Sequence, residues 1–293
     1  MPSTPSNSKP LQHRICFEAI GTRWYIDTPT QIPAAILAML LYTTRVFDVK
    51  WSRFRADSLV TQCRENGGDI PLDQDEYEML QLYKQLYDLS DGTVTPLIGI
   101  TLEDSGYDAE YSLSPRTQIR QAPEWSSTIV LTPATLRLCQ PTLVDIGAAG
   151  KGLLVDKVAS LLRGHYTMFT VDAGGDIYSH GITERIGLEH PSRPGHVVGT
   201  VTLRDAAICG SAAQRRAWGD MHHIIDARTS TPTHTAQATW GLAPSAMQAD
   251  LIATALFFVS AHKLAHVARF QYVVMYRQGR IEYTHTQEIE LYA

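Results

Sequence analysis

Cysteine is scarce in this chain. Its four cysteines, Cys16, Cys63, Cys139 and Cys209, lie far apart and form no C-x-x-C pair. That argues against a disulfide scaffold or a cysteine-held zinc site and fits a reducing compartment. Excess positive charge is missing too: the net charge is -5, so nothing argues for nucleic acid or an anionic membrane surface as a partner. Long hydrophobic runs are absent. The most apolar early stretch, Ile32 to Leu41, is half the roughly 20 residues that a bilayer-spanning helix needs. Residues 1–14 are polar and proline-containing, without the apolar segment of a secretory leader. They are expected to form a disordered tail on a cytoplasmic protein with no membrane segment. No internal repeat and no clean linker interrupts the rest, so one compact domain over 15–293 is expected. Apolar residues make up 44% of the chain, enough for a real core.

The centre of the chain is Thr142-Leu143-Val144-Asp145-Ile146-Gly147-Ala148-Ala149-Gly150-Lys151-Gly152. Leu143 to Ile146 reads as a strand with one acid near its end. After Gly152, the apolar residues Leu154, Val155, Val158, Leu161 and Leu162 recur at helical spacing, and Gly164 marks a stop. A strand, a glycine-rich turn and a helix start make an anion site from free N–H groups and the dipole. Taken alone the pattern is weak. It is neither a P-loop nor G-x-G-x-x-G.

Other elements follow from pattern. Ile15 to Ile26 alternates around Gly21-Thr22, as an edge strand with a turn or bulge does. Pro33 to Val46 predicts an amphipathic helix with Ile36, Leu37, Leu40, Leu41 and Val46 inward. The aromatic and polar segment Phe47 to Ser58 reads as an inter-helix loop, in preference to a flap placing Phe54 and Arg55 beside a ligand. Glu76 to Leu89 predicts a second helix, Ile129–Leu131 with Leu136–Leu138 a hairpin, and Met168–Asp172, Ile186–Pro191 and Val197–Leu203 further strands.

Two places suggest chemistry. His222-His223-Ile224-Ile225-Asp226-Ala227-Arg228 crowds two His, an Asp and an Arg beside a turn, and adjacent histidines on a strand face opposite ways. The helix from Ser245 to Ser260 starts with a Ser245/Gln248 capping box and is apolar nearly all round, so it is predicted buried. Asp250 lies within it, with Thr254 one turn on. A buried carboxylate needs a partner. An acid plus a hydroxyl suits Mg²⁺ completed by substrate phosphates, and an Arg or Lys partner would serve equally. His262 and His266, with no third ligand, read as a solvated face.

Together these pieces resemble one family. Phe17 to Thr22, Ser52 to Ser58, Ser90-Asp91-Gly92, Asp145 to Gly152, Asp172 to Asp176, His222 to Thr229 and Ala249 to Ala255 occur in the order and spacing of the ApbE family, the FAD:protein FMN transferases. The resemblance spans about residues 15 to 275. It implies an α+β fold of the ApbE type, with T-fold-like mixed sheets packed with helices. It also implies FAD as substrate, Mg²⁺ as metal, and transfer of FMN to a Thr or Ser hydroxyl of an acceptor protein with release of AMP. By position, Asp250 and Thr254 would hold the metal together with the Ala148 carbonyl, and Asp145 and Lys151 would bind FAD. Ile20, Phe54, Ser105, Gly106 and Tyr107 would line the flavin or adenine pocket, Ile225 would pack on the ligand, and His223 would be the base. The chain departs from the family's usual residues at Cys209 (usually Ser), Ala227 (usually Pro) and Ser230 (usually Gly). The alternatives are an FAD pyrophosphate hydrolase giving FMN and AMP, and an FAD-binding protein without turnover.

Overall fold

The computed structural model describes residues 11–292. Strands His13–Ala19 (β1) and Thr22–Thr28 (β2) pair in register around Ile20 and Gly21. Both turn residues have positive φ, 45° and 73°, the geometry that matches strand twist in a two-residue hairpin. The alternation around Gly21 is therefore a hairpin. β1 starts two residues before the expected edge of the domain, and residues 1–10 of the expected tail lie outside the described residues.

The hairpin opens a nine-stranded sheet. Its further strands are Phe169–Asp172 (β3), Asp176–Glu189 (β4), Val197–Ala212 (β5), Ala236–Ala243 (β6), Gln271–Tyr276 (β7), Ile281–Tyr283 (β8) and Ile289–Leu291 (β9). They run in the order β1-β2-β3-β4-β5-β6-β7-β8, with β9 on β5, and every pairing is antiparallel. Alternation along the strands gives the sheet two apolar faces. Ala207, Cys209 and Val274 face the main core, and Ile208, Trp240 and Val273 face a second one. The far halves of β4 and β5 bend near Gly181 and Asp205, both at positive φ. They bring Leu188, Val201 and Leu203 over that second face.

Helices Ala34–Trp51 (α1), Gln74–Leu89 (α2), Gly99–Asp104 (α3), Gly150–Arg163 (α4) and Ala246–Ala255 (α5) contribute to the rest. α1 runs five residues beyond the predicted end and buries Leu40, Thr44, Phe47 and Trp51. Leu41 and Val46, expected inside, are 40% and 47% exposed. The continuation to Trp51 sets which stripe meets the core, and these two lie off it. α2 begins with a full capping box between Asp73 and Glu76. α5 ends at Ala255 and a tight turn carries the chain to Ser260, so the long helix is shorter than its apolar run. Among the described residues no helix is long and apolar enough to cross a membrane.

The predicted strand Leu143–Ile146 is not one. Among the described residues this stretch joins no sheet, and its Asp145 N–H bonds the Pro96 carbonyl at 2.7 Å. Leu143, Val144 and Ile146 are buried, so burial rather than strand pairing accounts for the apolar run. The glycine-rich helix start is as expected. α4 tolerates Gly150 and Gly152, each costing about 1 kcal/mol in a helix. It also buries Leu153, Leu154, Val155, Val158 and Leu162, each contributing roughly 1.5–3 kcal/mol. Gly152 is there for contact: a Cβ would collide with the Ala246 carbonyl, where the start of α5 lies on α4. Asp156 of α4 fastens that contact by accepting from Ala246 N and Met247 N at 2.8 and 2.9 Å.

Candidate active site

A cleft of about 210 Å³ opens where the start of α4, one face of α5 and the end of β5 meet Phe54, Tyr107 and the segment after His222. Its floor is acidic and buried. Asp250 is 4% exposed and accepts from Gly152 N–H at 3.1 Å, so the α5 carboxylate touches the bare start of α4. Asp176, at the start of β4, is 0% exposed. Lys151 Nζ lies 2.7 Å from one Asp176 oxygen, but neither oxygen accepts a well-aligned hydrogen bond. Burial pulls the Lys151 ammonium down, yet Asp176 and Asp250 outweigh it and its pKa is raised. Burial, and then the charge of Asp176, hold the Asp250 carboxyl well above the usual range. Two carboxylates facing one ammonium leave the floor short of positive charge. Thr254, one turn after Asp250, has its hydroxyl 3.4 Å from Ser211 Oγ on β5.

The wall is aromatic and cationic. Arg53 is 4% exposed, bonds Asp145 at 2.5 Å and the Tyr107 carbonyl at 2.7 Å, and lies over the Phe54 and Tyr107 rings at 4.1 and 4.8 Å. Asp145 also accepts from Gly147 N–H at 2.6 Å, which fixes the turn into α4. Tyr111 stacks on Phe54 at 5.4 Å. Burial raises the Tyr107 phenol to about 12, and its hydroxyl is buried without a partner. Arg216 lies over the Tyr107 ring at 5.7 Å, and Arg215 lines the same cleft.

His222 and His223 part ways as the sequence predicts for neighbours. His222 is buried, with Nε2 against the Thr233 carbonyl at 2.8 Å and Nδ1 accepting from Ile224 N–H. His223 lines the cleft, 6.3 Å from the Tyr107 ring, with Nδ1 3.4 Å from the Arg216 carbonyl. It is half-buried at the cleft wall, and burial, then Arg216, push its pKa down to about 3. It is therefore a neutral imidazole at physiological pH, with a pKa well below the near-neutral value that suits a general base.

The family model for ApbE matches residues 20–276. The chain belongs to the ApbE family. A Treponema pallidum relative, named FAD:protein FMN transferase, is 28% identical, with 85% of this chain and 79% of that protein covered. A Haemophilus influenzae protein of the same name is 25% identical over 78% of this chain and 74% of its own. The crystal structure of the ApbE protein from Thermotoga maritima aligns with TM-score 0.79 at 20% identity, covering 93% of this chain and 97% of that one. The Vibrio cholerae flavin transferase ApbE aligns with TM-score 0.75 at 19% identity and the same coverage. The ApbE-type fold, mixed α/β in a single domain, is thus the fold of this chain.

Within this ApbE fold, Phe54, Tyr107, Asp145, Ala148, Lys151, His223, Ile225, Asp250 and Thr254 all line one cleft, although they are far apart in sequence. Ile20, Ser105 and Gly106 are not among its lining residues. Ile20 is the hairpin turn residue, packed against the main core. Ser105 is buried, bonds the Thr101 carbonyl, and offers its own carbonyl to Trp218 Nε1 at 2.9 Å. Gly106, at φ 94°, turns the chain so that Tyr107 reaches the cleft. These two shape the pocket without touching its space. Arg55, weighed as a flap residue, pairs with Asp48 and Asp57, and its neighbour Arg53 is the one that points in. Sequence reasoning missed Asp176, Arg53, Arg215, Arg216 and Ser211.

The floor fits a magnesium ion. Two buried carboxylates carry more negative charge than Lys151 offsets, and Asp176 has orphaned oxygens. Among the described residues no three His, Cys, Asp or Glu side chains converge into a metal cage. A cation here would rest on few carboxylates and on neutral oxygens, the donor set of an ion that keeps places for substrate phosphate.

Proposed function

We propose that this chain is a flavin transferase that moves FMN from FAD to a Thr or Ser hydroxyl of an acceptor protein, with AMP as the leaving group and Mg²⁺ as the metal. The observation that carries the reading is the contact between Asp250 and Gly152 N–H. It puts the candidate metal carboxylate against the start of α4, at the positive end of the helix dipole, where a pyrophosphate is favoured. The names of the Treponema pallidum and Haemophilus influenzae relatives support the same chemistry.

The proposed roles follow from the geometry. Asp250 and Thr254 would hold the metal with the Ala148 carbonyl, and Lys151 and Asp176 set the charge around Asp250. When bound, Mg²⁺ supplies Lewis-acid neutralisation of pyrophosphate charge. Arg215 and Arg216, with the positive dipole end of α4, take further phosphate charge. Phe54, Tyr107 and Ile225 pack against a flat ring, and Asp145 positions Arg53. The acceptor oxygen bonds to the flavin-side phosphorus, and the bond from that phosphorus to the bridging oxygen breaks. AMP leaves with the bridging oxygen, and the hydroxyl proton passes to the His223 nitrogen that faces away from the Arg216 carbonyl. A phosphate beside Arg216 offsets that cation and shifts the His223 pKa upward, which makes the imidazole a stronger base in the substrate complex. The four free cysteines suit a reducing compartment such as the cytoplasm.

The test is mass spectrometry of proteins from the source cell's own extract after incubation with the purified chain, FAD and Mg²⁺. A covalent FMN on Thr or Ser of a discrete protein is the expected result. Steady AMP release with no such adduct would favour hydrolysis, and neither product would sink the enzymatic reading.

A further inference from the structure

A second groove of about 280 Å³ adjoins the cleft. It runs between Ile186–Pro191, the bent arm of β4 with the two residues after it, and the sheet face carrying Ile208 and Trp240. The two spaces share Gly210, Ser211, Ala212 and Arg215. That shared saddle has small side chains except for Arg215. Arg215 is strapped across it, donating to the Gly174 carbonyl at 2.9 Å and lying 3.5 Å from Glu189. Ser211 on the saddle is the residue 3.4 Å from the Thr254 hydroxyl.

The arm also carries a free edge. β3 pairs with β4 only over Ile177–His180. Beyond the bend, Thr183–Glu189 pair with β5 alone among the described residues. One row of main-chain donors and acceptors therefore lacks a strand partner, the template on which an extended segment adds. Four consecutive residues, Ile186 to Glu189, line the groove. Successive side chains on a strand point to opposite faces, so the groove meets this strand along its edge.

We propose that this groove is the docking track of the acceptor: an extended, Thr- or Ser-bearing segment of the target protein pairs with the free edge of β4 and crosses the Gly210–Ala212 saddle to present its hydroxyl in the cleft. The inference rests on the transferase reading, since only transfer to a protein needs such a track. Three observations commit it to this occupant. The groove is continuous with the cleft, so an occupant's side chain reaches the phosphate end without displacing a ligand from the aromatic end. The edge offers main-chain pairing, which any extended sequence can satisfy. The saddle is bare enough for backbone to pass over, and its one large residue, Arg215, lies across it rather than in it.

The experiment uses the whole enzyme with FAD and Mg²⁺. The probe is a synthetic peptide library with one central Thr between randomised positions. Two quantities are read: FMN mass gained by peptide, and AMP released with no peptide present. Gln214 is exposed and lines the groove but not the cleft. Gln214→Trp is expected to leave acceptor-free AMP release within about twofold and to raise the peptide KM at least about tenfold, the loss of roughly 1.4 kcal/mol of docking. Gln214→Ala, which removes the side chain without filling the groove, is expected to match the wild type. Unchanged transfer by Gln214→Trp overturns the track and leaves the transferase reading standing. A wild-type enzyme that releases AMP but labels no peptide also overturns the track. Absence of AMP release and of transfer in every form marks failure of the transferase reading, and the track goes with it.

Discussion

At the scale of single residues, the site rests on charges held where water would normally screen them. His223 is the most consequential. Its low pKa, about 3, comes from burial and from Arg216, and the free enzyme is the state that kcat/KM reports. The kcat/KM profile for FAD cleavage is therefore expected to lack a limb near pH 6–7 arising from His223, whereas the kcat profile, which reports the substrate complex, shows its limb at higher pH. His223→Ala is expected to lower kcat by about 10²–10⁴, the usual weight of a general base. A kcat/KM limb near pH 6.5 that disappears in His223→Ala would show that burial and Arg216 do not depress the imidazole. Asp250 was legible in the sequence because an acid inside an all-round apolar helix demands a partner. Asp176 was not: it follows a Gly pair at a strand start, where Asp is an ordinary turn residue. Arg53 was hidden beside Arg55, because nothing in an unstructured-looking segment tells which of two arginines turns inward.

At the scale of elements, α5 is held in place by its neighbours' main chain and by one half-buried acid. Asp156 caps its start, yet burial outweighs the two N–H bonds and raises the carboxyl to about 6. The unfolded chain releases this proton near the ordinary Asp value of about 3.9, and the folded chain holds it about two units longer. The contribution of Asp156 to stability is therefore fully present below pH 4 and is lost as pH rises to about 6, a change on the order of 2–3 kcal/mol. Denaturant unfolding across that range checks this, and Asp156→Asn is expected to flatten the curve; an equally steep curve in that variant would assign the change elsewhere. The loop after His223 carries a second element-scale effect. Ser230 sits at φ 57°, with its buried hydroxyl unpartnered. Ser230→Gly is expected to stabilise the fold by about 1 kcal/mol by removing the left-handed penalty. An unchanged or lower Tm would contradict that. Ala227, by contrast, donates its N–H to the Thr93 carbonyl at 3.2 Å, a bond proline could not make. The helices were largely legible because their caps and apolar stripes are local. The strand expected at Leu143–Ile146 failed because an apolar run reports burial, and burial alone does not say what the backbone pairs with.

At the scale of the whole molecule, one antiparallel sheet carries two cores, and the cleft forms at the edge of the helix-covered one. The residues that meet there come from β5, α2, α3, α4, α5 and the loops between them. No local pattern could show that convergence; the order and spacing of the ApbE motifs did. The bent β4–β5 arm was beyond reach, since a strand that changes sheet layer reads like two shorter ones. The account's central claim is that a divalent cation held from α5 faces the pyrophosphate of FAD at the start of α4. Its most direct test is AMP release from FAD by the purified chain, measured in Mg²⁺ and in EDTA, for the wild type and Asp250→Asn. The account predicts release that needs Mg²⁺ and falls at least about 100-fold in the variant, the loss of several kcal/mol of charge stabilisation. Equal release in EDTA, or an Asp250→Asn enzyme as fast as the wild type, would contradict it.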